Sequence, residues 1–284
     1  MISAVDYEVP VIHGYGLDHL EGCQTDLRAA LEKVLAFRTG AVIDVGANIG
    51  ELLAILLQVD RDVTYIGIEP NLQAAYYLEH FIQANGLPHH FVLATALGAA
   101  QTVAEFSYND DMDVSGTIAE GYRPVGMYKR HKKVLVERGD DLLKSVGLDA
   151  ISLIKIDAEG CEVEVLNGLQ ATIDAYRPFL ILEVTPYGHF ESGDLNQEYF
   201  GEVSAEERRS IVITRKKFNA DLDAFMAHHG YAAMKMLKSG DLEPVTSVDQ
   251  VSTTDFFSLN YLAVPRESLA DFTAKYMVHP QAAE

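Results

Sequence analysis

A chain of 284 residues is long enough to bury a large core, and one domain carrying insertions fits that length better than two. Its 48% hydrophobic and 23% charged residues are ordinary for a globular protein, but a net charge of −20 is not, and it excludes a phosphate backbone or an anionic membrane as an expected partner. Two cysteines, Cys23 and Cys161, make no disulfide framework and point to a reducing, cytoplasmic setting; the start MISAVDYEVP lacks a secretion signal, and no stretch approaches the roughly 18 apolar residues of a membrane span.

Residues 1–24, broken by Pro10, Gly14, Gly16 and Gly22, read as an irregular lead-in. Thr25 or Asp26 caps a helix reaching about Arg38, with Leu27, Ala30, Leu31, Val34 and Leu35 on one face. Ala41–Val45 is a short apolar run of buried-strand type, followed by a Gly-containing turn and a helix over residues 52–57. A second strand covers 64–69, a helix runs from Pro70-Asn71 to about Ala84, and Asn85-Gly86 closes it. Residues 90–97 form a third strand, halted by Gly98. This β-α-β-α-β order predicts a parallel sheet with right-handed crossovers.

Residues 102–108 and 132–137 then alternate like exposed strands around a polar loop, which predicts an inserted hairpin or flap over about 99–138. A short helix at 139–146, an apolar strand at 151–157, a helix over 162–176 and a buried strand at 178–184 follow. Residues 185–217 lack clear periodicity and read as a loop or lid with room for one helix from Glu206. A helix over 218–228, an antiparallel pair at 232–237 and 259–264 on the sheet edge, and a short helix from Ser268 complete the chain. The expected organisation is a lead-in and helix (1–40), one domain (41–265) and a helical tail (266–284).

The stretch AVIDVGANIGE carries the first chemical signal. A strand, a tight turn and a helix start present backbone N–H groups to a ligand. A dinucleotide fingerprint needs G-x-G-x-x-G, but Asn48 and Glu51 stand where its second and third glycines belong. What remains is D-x-G-x-N-x-G from Asp44, with Gly46 and Gly50, a spacing similar to the S-adenosylmethionine loop of class I methyltransferases. Glu69, ending the second strand beside that loop, is placed either to accept hydrogen bonds from a ribose or to serve the next helix as a first-turn acid. Asp157, in IKIDAEGCE, reads either as a helix cap or as a site carboxylate at the same rim, where acidic groups suit a cofactor bearing a sulfonium and an ammonium.

Taken together, IDVGANIG, GIEPN, ALG, Ser115-Gly116, RGDDLL, SLIKIDAEGCEVEVLNG and RPFLILEV resemble, in order and spacing, the FkbM family of methyltransferases over roughly Ala41 to Val184. The resemblance implies a Rossmann-like class I methyltransferase fold: a mostly parallel seven-stranded sheet with helices on both faces. It also implies S-adenosylmethionine as cofactor and methyl transfer to a hydroxyl on a sugar, a polyketide-like product or another small molecule. By the same resemblance Asp44, Gly46, Ala47, Asn48 and Gly50 surround the methionine portion, and Glu69 with Asn71 holds the ribose. Ala96 and Leu97 lie near the adenine, Ser115 and Gly116 near the cofactor, and Asp157 near the transferred methyl. Gly139 stands where the family usually has Leu, which predicts a loss of packing.

Methyl transfer to a hydroxyl requires a proton acceptor, for which Asp157, Glu159, Glu183 and His189 are candidates. The acidic cluster Asp110, Asp111 and Asp113 reads as a solvated loop, and no metal site is expected. Two basic runs, residues 129–133 and Arg208, Arg209, Arg215, Lys216 and Lys217, are either solvated faces or a frame for an anionic substrate. A binding protein without turnover and a nicotinamide oxidoreductase are the competing classes.

Overall fold

A computed structural model describes residues 7–11, 24–111, 113–250 and 260–277. Most of the predicted lead-in with Cys23, the start of the last predicted strand at 259, and the tail beyond Met277 lie outside the described residues.

Strands β1 (Ala41–Val45), β2 (Tyr65–Ile68), β3 (His90–Leu93), β4 (Ala96–Gly98), β5 (Thr102–Tyr108), β6 (Arg130–Arg138), β7 (Ile151–Ile156), β8 (Phe179–Glu183), β9 (Tyr231–Met236), β10 (Leu242–Pro244) and β11 (Asn260–Pro265) form two sheets. The main sheet has eight strands in the order β10-β9-β11-β8-β7-β1-β2-β3. The pairings among β3, β2, β1, β7 and β8 are parallel, and β11, β9 and β10 add antiparallel ladders. The sheet is therefore α/β as expected but mixed and eight-stranded rather than seven-stranded, the short β10 forming one edge. The predicted antiparallel pair β9 and β11 exists, yet β11 is interior, wedged between β8 and β9.

Alternate strand residues feed two cores. Val42, Tyr65, Leu153, Ile181 and Leu262 pack with the helices Thr25–Phe37, Glu51–Val59, Leu72–Ala84 and Arg266–Tyr276 on one face. Ile43, Ile66, Ile154, Leu182 and Ala263 pack on the other with Gly139–Val146, Glu162–Gly168, Gln170–Tyr176 and Ala205–His228. Strands buried on both sides need apolar residues at every position, hence AVIDV and ISLIKI.

Four local readings are corrected. The predicted strand over 90–97 is two strands in different sheets, because the chain turns at Thr95, whose hydroxyl donates to the Leu135 carbonyl at 3.0 Å. β4 then joins β6 and β5 in a three-stranded sheet, the predicted flap. The helix over 162–176 is two helices broken at Leu169. Gly168 ends the first where an added Cβ would lie 2.0 Å from the Gly98 carbonyl oxygen, and Asp140 accepts the Thr172 N–H at 2.9 Å in the second. Residues 205–228 form one long helix, which joins the helix allowed for from Glu206 to the one expected over 218–228. Gly139 is no packing loss: a Cβ there would lie 2.5 Å from Leu169 Cδ2, so its absence admits the leucine. Among the described residues no helix is long and apolar enough to cross a membrane.

Candidate functional site

The chain runs β1 to β2 to β3 outward and returns to β7 on the other side of β1, so the order of the sheet switches between β1 and β7. At that switch the Asp157 N–H donates to the Val45 carbonyl at 3.0 Å, joining the two strand ends. Gly46 sits against this junction at φ 80°, and a Cβ on it would come 1.8 Å from the Asp157 carbonyl oxygen. No residue with a side chain fits there.

Asn48 (φ 43°) turns the loop so that its N–H points at Glu69, and the Glu69 carboxylate accepts from the N–H groups of Asn48 (2.8 Å) and Asn71 (2.7 Å). Burial pushes the Glu69 carboxyl up to about 7 despite those two donors. Asn71 caps the helix after β2 and ties down the flap, donating to the Asp111 carbonyl at 3.0 Å and accepting from Lys132 Nζ at 2.7 Å.

Asp44 is 1% exposed; its Oδ2 accepts from the Tyr65 hydroxyl at 2.7 Å, while Oδ1 has no hydrogen-bond partner. Lys155 Nζ lies 3.7 Å from Asp44 and 2.9 Å from Asp157, so one ammonium serves two carboxylates. Burial raises the Asp44 carboxyl. Burial would also lift Asp157, but the Lys155 charge and a hydrogen bond from Glu183 hold it below the usual range. Glu183 carries the cost: burial first, and the Asp157 charge next, push it well above a normal carboxyl. Burial and the Asp157 charge thus favour the protonated form of Glu183, while the Lys155 charge favours the ionised form of Asp157.

Glu159 completes the group in a left-handed conformation, φ 53°. Its carbonyl accepts from Thr117 Oγ1 at 2.7 Å, its carboxylate pairs with Arg123, and the Glu162 carboxylate holds the N–H groups of Ala158 and Gly160 on either side. Ligand oxygens of Asp157, Glu159 and Glu183 lie within 4.8 Å of one another, an arrangement that a divalent cation could use. Lys155 and Arg123 already face two of these carboxylates.

Two cavities meet here. One is lined by Asp44, Gly46, Ala47, Asn48, Glu69, Ala96, Leu97, Gly116, Asp157 and Glu159, together with Phe106, Thr117 and Cys161. The other is lined by Arg123, Glu159, Glu183, Thr185, Asn196, Tyr199, Phe200 and Arg215. Most of the residues expected around a cofactor thus share one cavity. Three do not line it: Gly50, which lets Leu78 approach the loop; Asn71, which positions Glu69; and Ser115, whose hydroxyl bonds Asp113. His189 lines neither cavity. It is 2% exposed between Phe190 and Phe200, and burial pushes it down to about 4.

In the acidic flap cluster Asp110 and Asp111 are exposed, as expected of a solvated loop. Asp113 accepts from the Asn109 and Ser115 N–H groups, and Asp111 pairs with Arg130. Of the basic runs, Lys216 pairs with Glu191 and Lys217 with Asp221, and Arg215 lines the second cavity. Sequence reasoning missed Lys155 and Arg123. A lysine inside the apolar strand ISLIKID was the available signal, since a buried ammonium requires a counter-charge.

Among solved structures, the chain is similar to the methyltransferase FkbM from Methylobacillus flagellatus KT, at 18% identity and a TM-score of 0.45 over 79% of this chain and 43% of that one. This chain therefore spans under half the length of that protein. It is similar as well to the plantazolicin methyltransferase BpumL in complex with SAH, at 11% identity and a TM-score of 0.42 over 84% and 81% of the two chains. Rv0187 from MTB, a cofactor-bound structure, is similar at 13% identity with a TM-score of 0.44 over 91% and 84%. None of the curated proteins matches. The methyltransferase FkbM domain matches residues 44–232, a span that begins at Asp44 and takes in Glu69, the flap, the three carboxylates and both arginines. With well over half of its length matched, the chain belongs to the methyltransferase FkbM domain family.

Proposed function

We propose that this protein is an S-adenosylmethionine-dependent O-methyltransferase acting on a hydroxyl of a sugar, a polyketide-like product or another small molecule. The observation that carries this reading is the meeting of the two cavities at one pair of carboxyls: Asp157 lines the first, Glu183 the second, and Glu159 both.

The residues of the first cavity suit the cofactor. Glu69 retains lone pairs for a ribose diol beyond the two backbone N–H groups it accepts. Asp44 Oδ1, buried and without a hydrogen-bond partner, suits an ammonium, and the acidic rim suits a sulfonium. Ala96 and Leu97 offer an apolar wall for a base, with Gly116 and Phe106 of the flap across from them. When bound, S-adenosylmethionine supplies an electrophilic methyl group.

The chain's own residues align the acceptor and take its proton. Glu183, once ionised, is a strong base because its conjugate acid is so weak, and it faces the second cavity. Asp157 holds the Glu183 carboxyl in place, and Lys155 keeps Asp157 charged. His189, neutral and enclosed, is not needed for this task.

Calorimetry with S-adenosylmethionine and S-adenosylhomocysteine, followed by incubation of labelled cofactor with a panel of hydroxylated compounds, tests the reading. Label on an acceptor oxygen is the expected outcome; tight NADH binding in place of adenosyl cofactor binding would overturn it.

A further inference from the structure

Arg215 is 1% exposed, on the long helix. Its Nη1 donates to the Pro186 carbonyl at 2.6 Å, and Nε and Nη2 both donate to the Tyr122 carbonyl at 3.2 Å. Its guanidinium lies 4.8 Å from the Tyr122 ring centre and 4.7 Å from that of Phe190. Carbonyls and rings orient a guanidinium but carry no net charge, so this buried cation is solvated by dipoles and has no ion-pair partner among the described residues. Burial pushes it down to about 10, which leaves it charged at neutral pH.

Arg123 lies in the same cavity with 9% of its side chain exposed. It pairs with Glu159, and its Nε is buried with no hydrogen-bond partner. A guanidinium has five N–H donors in a rigid fork. Arg215 spends three of them on carbonyls, so both arginines keep unused donors in a cavity of about 320 Å³. Arg123 pairs with Glu159, whereas Arg215, among the described residues, makes its hydrogen bonds to carbonyls alone. A planar carboxylate matches the fork of a guanidinium.

We propose that the acceptor is a small hydroxylated carboxylate, held with its carboxylate on Arg215 and the unused donors of Arg123, and with its hydroxyl toward Glu183. This rests on the methyltransferase reading above and names the substrate class for that same site. Tyr199 and Phe200 wall the cavity with rings, which suits an acid with a flat or apolar body.

The test uses the full chain saturated with S-adenosylhomocysteine, titrated calorimetrically with salicylate, para-hydroxybenzoate, mandelate and lactate and with the primary amide of each. At least one acid is expected to bind roughly tenfold or more tightly than its amide, and Arg123→Gln is expected to narrow that ratio of acid to amide affinity. Equal binding of acid and amide in every pair, or no binding by any acid, overturns the proposal. The acid and amide comparison needs no substitution at Arg215, whose loss would disturb its packing against Tyr122 and Phe190. If S-adenosylhomocysteine itself fails to bind, the methyltransferase reading falls first and takes this one with it.

Discussion

Replacing Glu69 by Gln tests the cofactor cradle at its most loaded point. The carboxylate accepts from two backbone N–H groups, and in the proposed cofactor complex the ribose would add two hydroxyl donors. A carboxamide keeps the size but offers one oxygen, and its NH₂ must face the N–H of Asn48 or Asn71. Hydrogen bonds to a charged group are worth about 1.5–3 kcal/mol, so affinity for S-adenosylmethionine is expected to fall by about one to two orders of magnitude. The pH dependence gives a second readout. The Glu69 carboxyl is raised from 4.5 to about 7, so the unliganded protein holds this proton more tightly than the unfolded chain does. Its burial costs the unliganded fold about 3 kcal/mol, a penalty complete above about pH 7 and absent below the unfolded value. Ribose hydroxyls favour the ionised form, so wild-type affinity should be flat above about pH 7 and weaken as pH falls below it, while Glu69→Gln should be flat across that window. Calorimetry between pH 5 and 9 reads both effects. Equal affinity in the two proteins, or a wild-type affinity indifferent to pH, refutes the ribose assignment.

Four further outcomes follow from the same geometry. Glu183→Gln should lower turnover by roughly 10²–10⁴-fold with little change in S-adenosylhomocysteine affinity, and the wild-type rate should climb with pH as Glu183 ionises, a rise that the variant loses. Gly46→Ala places a methyl 1.8 Å from the Asp157 carbonyl and should abolish cofactor binding, whereas Gly86→Ala, with φ 58° and nothing within 4 Å, should cost only about 1 kcal/mol; thermal denaturation of both checks the contrast. Lys155→Met strands Asp44 and Asp157 together, at a cost of about 3 kcal/mol or more, and that loss should shrink in acid as the carboxylates protonate; an unchanged urea midpoint would contradict it. His189, pushed from 6.5 down to about 4, binds protons better unfolded, so it should cost stability as pH falls through that window; His189→Gln should remove this dependence and leave the rate profile near neutrality unmoved.

Strands buried on both faces were legible because they tolerate only apolar residues, and the helices with uninterrupted apolar stripes were legible for the same reason. The Ala205–His228 helix was read in two parts because its buried stripe runs Ile211, Arg215, Phe218, Asn219, Leu222, Phe225. Arg215 and Asn219 occupy core positions with polar side chains, which breaks the 3.6-residue pattern that marks a helix. The break at Thr95 was invisible for a different reason. Residues on both sides of it are strand formers, and only the partner at Leu135 decides that the chain changes sheets. The eighth strand is short and carries Pro244, a composition that sits on an edge but does not announce one.

At the site, sequence located the groups that lie in a motif and missed those that neutralise them. Asp44, Glu69, Asp157, Glu159 and Glu183 all end strands or follow them at one rim, which a parallel sheet brings together by topology alone. Five carboxylates on one rim are not stable without cations, so such a pattern predicts that buried bases must exist. Their positions are set by the partners: Lys155 sits one strand residue before the sheet end, Arg123 in the flap loop, Arg215 on the long helix. Lys155 and Arg123 are consumed by carboxylates on the cofactor side, and Arg215 is not. The proposed acceptor contact therefore rests on Arg215, the buried cation whose hydrogen bonds go to carbonyls rather than to carboxylates.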